Sequence, residues 1–311
     1  MTRIAVLHTE PDAREHWLAA LHERLPAAQV AAWPDAAAHG ADYAVGWAPP
    51  ADFFAAQPTL KAFFSAAAGV DHLLRHAGLP AALPLVRLED AGMGLQMAQY
   101  CCHEVLHRYL RRDEYAQQQR DGVWRALPPP RRPEFAVGVL GTGVLGVEVA
   151  RALVRLGFVV NGYARTAKSI EGVRGFAGGE AALEAFLRAT RVLIVMAPLT
   201  AETADLLDRR RLSWLQPGGW VINVARGGLL VDDDLLALVD AGHLAGATLD
   251  VFRTEPLPAT HPFWRHPRIR MTPHAAALTL IEPSADQVAG KIARLERGQP
   301  VGGLVDRARG Y

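Results

Sequence analysis

The feature that most constrains the fold is a short apolar run followed by three glycines. Residues 135–140 (FAVGVL) form the run, and Gly141, Gly143 and Gly146 follow with the spacing G-x-G-x-x-G. The run is typical of a buried parallel strand, and the first glycine permits a tight turn after it. The second lets a pyrophosphate approach the backbone, and the third lets the next helix, about residues 144–156, pack close to the strand. The stretch predicts a dinucleotide site; a glycine-rich turn in an ordinary βαβ unit is the alternative.

The end of the second strand indicates which dinucleotide is bound. A site for NAD usually has Asp or Glu about 20 residues after the glycines, where it accepts hydrogen bonds from the ribose hydroxyls. Here residues 161–168 read NGYARTAK, so Arg165, Thr166 and Lys168 offer two cations and a hydroxyl in place of a carboxylate. A phosphate on the ribose requires charge-assisted donors. We therefore predict NADP(H) as the cofactor; a solvated basic loop is the alternative.

Composition excludes several classes of protein. The 311 residues are 50% hydrophobic, which is enough apolar material for two cores. The net charge of +1 indicates no basic surface for binding nucleic acid. No apolar run reaches about 18 residues, so no membrane span is expected. Cys101 and Cys102 are adjacent on a predicted helix and point to different sides, so we expect free thiols and a cytoplasmic protein. Residues 1–7 lead directly into a strand, and no signal peptide is expected.

Alternating strand and helix patterns predict an α/β protein with two doubly wound parallel sheets. A flavodoxin-like substrate domain is expected from residues 1–95 and 283–311, with strands near 4–7, 41–46, 62–65 and 85–88. A Rossmann cofactor domain, residues 96–282, is inserted in it. Its beginning is a long linking helix at about 94–119, and a proline-rich linker follows at 127–133. Six strands, separated by helices, are expected at 135–140, 158–163, 192–196, 220–224, 246–250 and 268–272, and a last helix at about 282–297 is expected to return to the first domain.

Three polar residues follow predicted strands of the cofactor domain. Arg226, Glu255 and His274 would share the sheet edge that carries the glycines, because carboxyl ends of parallel strands meet at one edge. An arginine can bind a carboxylate through two hydrogen bonds, and a histidine can deliver a proton while a neighbouring glutamate stabilises its charged form. The set suits reduction of a 2-keto acid. Singly, each could be a surface arginine, a solvated turn residue or a packed histidine.

No metal site is predicted. His103 and His107 lie four residues apart beside Cys102, a spacing that can bind zinc, but a helix surface is the simpler interpretation. Residues 232–234 (DDD) are typical of a helix N-terminus.

Four motifs in this order resemble the D-2-hydroxyacid dehydrogenase family: residues 141–146, 224–228 (VARGG), 249–256 (LDVFRTEP) and 272–276 (TPHAA). The missing acidic residue at Ala164 departs from the family at large. Within the family, the sequence looks like the branch of NADPH-dependent glyoxylate and hydroxypyruvate reductases. The segments that carry this likeness are 68–71, 87–94, 264–267 and 305–311.

The resemblance implies roles for individual residues. Arg226 would bind the substrate carboxylate, His274 would be the acid/base group, and Glu255 would pair with His274. In the substrate domain, Trp47 would line the pocket and the N–H groups of Gly69 and Val70 would help to bind the carboxylate. The long helix would contribute to a homodimer. The cofactor contacts implied are Gly141, Gly143, Val144, Leu145, Arg165, Thr166, Lys168, Ala197, Pro198, Val224, Ala225, Asp250 and His274.

The expected function is therefore NADPH-dependent reduction of glyoxylate to glycolate and of hydroxypyruvate to glycerate. Two alternatives stay open. One is a reductase of bulkier 2-keto acids such as phenylpyruvate, and the other is a non-catalytic NADP-binding redox regulator, since a fold does not fix a function. A phosphoglycerate dehydrogenase is less favoured, because many of these carry an additional C-terminal regulatory domain.

Overall fold

The computed structural model describes residues 1–311 and contains twelve strands and nine α-helices. The strands are β1 (Arg3–Leu7), β2 (Gln29–Ala32), β3 (Tyr43–Gly46), β4 (Ala62–Ser65), β5 (Leu85–Arg87), β6 (Val137–Leu140), β7 (Val160–Ala164), β8 (Val173–Ala177), β9 (Val192–Val195), β10 (Gly219–Asn223), β11 (Leu244–Leu249) and β12 (Ile269–Met271). The helices are α1 (Pro11–Arg24), α2 (Asp71–Leu74), α3 (Met93–Tyr109), α4 (Arg112–Arg120), α5 (Val144–Arg155), α6 (Glu180–Arg188), α7 (Arg209–Leu212), α8 (Asp232–Asp240) and α9 (Ile281–Glu296).

The chain forms two compact units, and the first contains Met1–Met93 and Thr279–Tyr311. Its sheet has the order β2-β1-β3-β4-β5 with every pair parallel, which is the flavodoxin-like order that we predicted. The last helix, α9, belongs to this unit: Arg24 on α1 donates to Glu282 at 2.7 Å and to Asp286 at 2.5 Å. The sequence analysis missed β2, because this edge strand is mostly half-exposed and its only bulky apolar residue is Val30.

The second unit, Gly94–Leu278, contains a seven-stranded parallel sheet of order β12-β11-β10-β9-β6-β7-β8. This is the order of a dinucleotide-binding sheet with one strand added beyond the usual six. Alternate residues of its central strands enter two different cores, as the period of a strand requires. Val192 and Ile194 pack in one, and Leu193 and Val195 pack in the other. The predicted doubly wound α/β class is confirmed for both units.

Six strands were predicted for the second unit, and that number was wrong. The missed strand is β8, an edge strand whose residues are all at least partly exposed, so its sequence has no continuous apolar run. The predicted strands on either side of it, β7 and β9, are separated by helix α6 as expected, and that helix follows β8. Only residues 165–172 connect β7 to β8, and they contain no helix. The loop expected to bind the ribose is therefore a short crossover between two parallel strands.

The single helix predicted at about 94–119 is two helices, α3 and α4. The break lies at Arg111, whose φ of 55° is in the left-handed region. The side chain of Arg111 supports this turn by donating to Glu114 Oε1 at 3.1 Å and to the Pro128 carbonyl at 3.2 Å. The sequence has neither Gly nor Pro at the break, so the usual signal for a helix end is missing.

The two units divide the chain slightly earlier than the expected boundaries after residues 95 and 282. The Gln96 side chain donates to the Leu278 carbonyl at 2.9 Å, within the second unit. The hydroxyl of Thr279 donates to the Ala66 carbonyl at 2.7 Å, within the first. Each of these side-chain hydrogen bonds near the crossing points thus lies within a single unit. None of the helices combines the length and apolar character needed to cross a membrane.

Candidate active site

The carboxyl edge of the seven-stranded sheet gathers most of the predicted site residues. All neighbouring strands are parallel, so the loops that follow them lie side by side along one edge. From β7 to β11 there are four steps of about 4.8 Å, or about 19 Å in all. In sheet order the edge carries the loop 165–168 after β7, the glycine loop 141–146 after β6, Ala197 and Pro198 after β9, Val224, Ala225 and Arg226 after β10, Asp250 and Glu255 after β11, and His274 after β12.

Each glycine of the loop has a distinct steric reason. Gly141 has a φ of 106°, and a Cβ there would lie 2.5 Å from the amide nitrogen of Ala197. A Cβ on Gly146 would lie 2.0 Å from the Gly141 carbonyl oxygen. At Gly143, which precedes α5, a Cβ would meet nothing within 4 Å, and the residue is exposed. The first and third glycines are needed for packing within the protein, whereas the second keeps space open at the N-terminus of α5.

The loop after β7 combines positive charge with an anchor to the glycine loop. Arg165 and Thr166 are exposed, and the Arg165 guanidinium lies 3.9 Å from the carboxylate of Glu202. The Lys168 ammonium donates to the Thr142 carbonyl at 2.8 Å. The strand ends at Ala164, so the position where NAD sites usually have an acidic residue has no carboxylate here. The arrangement places two cations beside the glycine loop, as a ribose phosphate requires.

Arg226 sits on a turn that is fixed by a residue the sequence analysis missed. Asn223, the last residue of β10, is fully buried. Its Oδ1 accepts from the amide of Ala225 at 3.1 Å, and its Nδ2 donates to the carbonyl of Arg226 at 3.0 Å. The Arg226 guanidinium donates to the Ala225 carbonyl at 2.7 Å. An amide side chain at the end of an otherwise apolar strand was the available signal, because a buried amide requires partners.

His274 and Glu255 come together as predicted from their positions. His274 Nδ1 lies 2.8 Å from Glu255 Oε2, and Glu255 Oε1 accepts from the amide of Phe252 at 2.9 Å. With a carboxylate as acceptor, Nδ1 carries the hydrogen, and Nε2 is left to exchange a proton with another molecule. The two side chains are 40% and 37% exposed, so a substrate can reach them. His274 has a φ of 54°, in the left-handed region that few non-glycine residues adopt.

Asp250, expected as a cofactor contact, has its carboxylate turned into the protein. The residue is 1% exposed. Oδ1 accepts from the hydroxyl of Thr272 at 2.6 Å and from the amide of Ala275 at 2.8 Å, and Oδ2 accepts from the amide of Ala276 at 3.0 Å. The carboxylate therefore binds the Thr272 side chain before His274 and the backbone amides of Ala275 and Ala276 after it. Its predicted role toward a cofactor stays a prediction.

In the first unit, the predicted substrate residues lie after two neighbouring strands. Trp47 follows β3, and Gly69 and Val70 lie in the turn between β4 and α2. Trp47 is 40% exposed and stacks on His72, with ring centroids 3.7 Å apart; the His72 Nε2 lies 2.6 Å from the Trp47 carbonyl. His72 was noted in the sequence only as part of a turn. Its ring supports the orientation of Trp47.

The features of the second unit fit a dinucleotide with a ribose phosphate. The phosphates would have open space at Gly143 and the amides in the first turn of α5, which have no partner four residues back. The cations of the loop after β7 also suit them. Arg226 adds a cation of the kind that can bind a carboxylate, and His274, paired with Glu255, is of the kind that can donate a proton.

Among residues 1–311, no group of three or more His, Cys, Asp or Glu side chains could bind a metal ion. His103 lies 2.9 Å from Glu104, and His107 lies 3.0 Å from Asp113.

Comparison with known families agrees with this geometry. Residues 104–276 match the family model described as "D-isomer specific 2-hydroxyacid dehydrogenase, NAD binding domain". The matched range is more than half of the 311 residues and contains the glycine loop, Arg226, Glu255 and His274.

Curated and solved proteins are similar over nearly the whole chain. A protein of Yersinia enterocolitica named glyoxylate/hydroxypyruvate reductase A is 47% identical over 302 residues, 96% of each chain. A crystal structure of an NADPH-dependent glyoxylate/hydroxypyruvate reductase from Sinorhizobium meliloti, in complex with NADP and sulfate, is 36% identical, with a TM-score of 0.92 over 100% of both chains. A D-isomer specific 2-hydroxyacid dehydrogenase from Xanthobacter autotrophicus Py2, in complex with NADPH and MES, is 37% identical, with a TM-score of 0.93 over 100% and 99% of the two chains.

The different roles of the glycines can be separated by two alanine substitutions. We expect Gly143→Ala to leave the thermal unfolding temperature unchanged and to weaken NADPH binding at least about tenfold, because the added methyl group occupies open space beside the phosphates. Gly146→Ala places a methyl group against the Gly141 carbonyl and should lower the unfolding temperature by several degrees. Differential scanning fluorimetry and NADPH fluorescence titration measure both effects. Equal losses of stability in the two variants would contradict this assignment.

Proposed function

The chain belongs to the D-isomer specific 2-hydroxyacid dehydrogenase family, and from this we propose that it is an NADPH-dependent reductase of small 2-keto acids. It converts glyoxylate to glycolate and hydroxypyruvate to glycerate. The observation that carries the proposal is the 2.8 Å pair of His274 and Glu255 on the sheet edge that also carries Arg226 and the glycine loop. The names of the similar proteins from Yersinia enterocolitica and Sinorhizobium meliloti support this choice of substrates.

Arg226 binds the carboxylate of the keto acid through charge-assisted hydrogen bonds. Its guanidinium also polarises the neighbouring 2-keto group, since negative charge develops on that oxygen during reduction. Asn223 fixes the turn that carries Arg226. Because the turn is already ordered, less conformational entropy is lost when the guanidinium binds the substrate. For the first unit, we propose that Trp47 and the N–H groups of Gly69 and Val70 also bind substrate.

His274 supplies the proton. When bound, NADPH supplies the hydride that adds to the carbonyl carbon. As the C=O π electrons move to oxygen, His274 Nε2 transfers its proton to that oxygen, and a hydroxyl group results. Glu255 stabilises the charged imidazole through Nδ1 before the transfer and fixes the orientation of the ring.

For the cofactor, we propose that Arg165, Thr166 and Lys168 bind the ribose phosphate and that the glycine loop with Val144 and Leu145 binds the pyrophosphate. Ala197, Pro198, Val224 and Ala225 lie after β9 and β10, between the glycine loop and the catalytic residues. This position suits the remaining part of an extended dinucleotide.

The proposal is tested by following loss of NADPH absorbance with glyoxylate, hydroxypyruvate and phenylpyruvate. We expect turnover with the first two and a lower kcat/KM with phenylpyruvate. His274→Ala should lower kcat by about 10²–10⁴-fold without loss of NADPH binding, since it removes the proton donor. The control is His22→Ala, an exposed histidine on α1. An active His274→Ala variant, or a wild-type protein that binds NADPH without reducing any of the three acids, would contradict the proposal.

The preference for NADPH over NADH can be tested by a substitution in the loop after β7. Arg165→Ala should weaken binding of NADPH by about 10–100-fold, because it removes a hydrogen bond to a charged group. Binding of NADH, which has no ribose phosphate, should change by less than about twofold. Isothermal titration with both cofactors gives the ratio, and Arg151→Ala on α5, an exposed arginine paired with Glu148, is the matched control. Equal weakening for the two cofactors would remove Arg165 from phosphate recognition.

The role of Glu255 can be tested by removing its negative charge. Glu255→Gln keeps a side chain that can hydrogen-bond to the ring, but it no longer stabilises the charged imidazole. We therefore expect kcat for reduction to fall while binding of NADPH is unchanged. Glu184→Gln, at an ion pair on α6, should leave kcat unchanged. An unchanged kcat in Glu255→Gln would exclude this role.

We also propose a homodimer in which α3, α4 and the segment after α4 contact a second copy. Trp124 follows α4, and its ring is fully exposed; Leu110 and Val123 are 52% and 47% exposed. Exposed apolar and aromatic side chains of this kind are enriched at protein interfaces. Sedimentation should show a dimer for the wild type and a concentration-dependent shift toward monomer for Trp124→Ser. Trp264→Ser, at a 55% exposed tryptophan, is the control. A monomeric wild type would refute the dimer.

We place the protein in the cytoplasm. Both of its cysteines are free thiols. Burial raises the pKa of the Cys101 thiol well above its ordinary value. Free thiols are compatible with a reducing compartment.

A further inference from the structure

A chain of hydrogen bonds joins helix α3 to the turn that carries His274. The hydroxyl of Tyr100 lies 2.6 Å from Thr272 Oγ1, and the Thr272 hydroxyl donates to Asp250 Oδ1 at 2.6 Å. Thr272 is two residues before His274, and Asp250 accepts from the amides of Ala275 and Ala276 on the other side. The hydroxyl of Tyr100 bonds to Thr272 and plays no part in the mechanism proposed above.

The direction of each hydrogen bond follows from chemistry. An ionised carboxylate can only accept, so the single proton of the Thr272 hydroxyl goes to Asp250. The contact between Tyr100 and Thr272 then requires the phenol to be the donor. Burial raises the pKa of Tyr100 to about 12, so the phenol keeps its proton through the usual range of an enzyme assay. The donors are thus arranged in one direction, and each strengthens the next.

The turn at the end of this chain is in an unfavourable conformation. A non-glycine residue in the left-handed region costs about 1–3 kcal/mol and persists only where its surroundings determine it. His274 has a φ of 54°. Its amide donates to the Asp250 carbonyl at 2.8 Å, and the Asp250 side chain fixes the residues on both sides. The conformation of His274 therefore depends on Asp250 remaining in place.

We propose that Tyr100 is a positioning residue for His274, which acts through Thr272 and Asp250. The proposal rests on the proposed function, because the orientation of His274 matters to turnover only if it delivers the proton. Helix α3 would thus have a role in the second unit beyond packing. Loss of the Tyr100 hydroxyl leaves Thr272 and Asp250 less restrained, and the imidazole then samples orientations in which Nε2 no longer faces the keto oxygen.

Tyr100 does not have to attach α3 to the sheet, because Glu104 does so one turn later. The Glu104 carboxylate is buried and accepts from the hydroxyl of Thr248 on β11 at 2.8 Å and from Arg270 on β12 at 3.3 Å. Met97, Cys101 and Val105 on the same helix are buried in the core of the second unit. Removal of one hydroxyl should therefore leave α3 in place, which makes Tyr100→Phe an informative variant.

The first measurement compares two tyrosine variants. Tyr100→Phe should lower kcat by about 10–100-fold, the range expected when a catalytic group is displaced, with KM for the keto acid and Kd for NADPH changed by less than about twofold. The matched control is Tyr43→Phe, which removes a hydroxyl that donates to Glu296 at 2.6 Å in the first unit. It should not change kcat. Equal kcat values in the two variants and the wild type would overturn the proposal.

A double variant distinguishes action through His274 from an independent effect. In the His274→Ala background, Tyr100→Phe should have no further effect on the residual rate, because the residue that it positions is gone. If Tyr100→Phe lowers the residual rate by the same factor as in the wild type, the two residues act independently and the proposal is wrong.

Hydrogen–deuterium exchange tests whether Tyr100 orders the turn around His274, and this measurement does not require enzyme activity. The amides of His274, Ala275 and Ala276 all donate to Asp250, so a peptide that covers them should exchange faster in Tyr100→Phe than in Tyr43→Phe. Unchanged exchange would overturn the proposal even in an active enzyme. Faster exchange in a protein that reduces none of the keto acids would support the positioning chain and refute only the proposed function.

Discussion

Parallel strand pairing is the constraint on which the rest of the second unit, Gly94–Leu278, depends. Every neighbouring pair from β12 to β8 runs in the same direction, so every loop at a carboxyl end is delivered to the same edge. Arg226 and His274 are 48 positions apart in sequence, since 274 − 226 = 48, yet they follow strands separated in the sheet only by β11. Side chains on separate loops can then reach one small molecule. Antiparallel pairing anywhere in this sheet would send one of these loops to the opposite edge.

The sheet delivers the loops, and buried polar side chains fix their conformations. Asn223 ends β10 and bonds to both sides of the turn before Arg226. Asp250 follows β11 and does the same for the turn around His274. Both are fully buried, so an unpaired polar atom would be costly there and the turn must supply partners. The two reactive side chains remain accessible, while the groups that orient them are shielded from water. Arg226 and His274 are thus the accessible residues, and Asn223 and Asp250 are the buried residues that orient them.

Much of this arrangement could be predicted from the sequence, for identifiable reasons. Continuous apolar runs predicted the buried central strands, and the glycine spacing located the cofactor loop before α5. The pairing of Glu255 with His274 followed from their positions after successive strands. Edge strands β2 and β8 were missed because partial exposure removes the apolar pattern. The break at Arg111 was missed because a left-handed arginine has no sequence signal. Tyr100 gave no signal either, because its hydrogen-bond partner is distant in sequence. Asn223 did give one, as the amide side chain that ends an apolar strand, but it was overlooked.

The link between Lys168 and the Thr142 carbonyl has a consequence for how this scaffold can diverge. The same ammonium group adds positive charge at the end of β7 and supports the backbone of the glycine loop. A lineage that replaced Lys168 would change both the charge at the end of β7 and the support of the glycine loop in a single step. Residue 168 is therefore under two selective pressures at once.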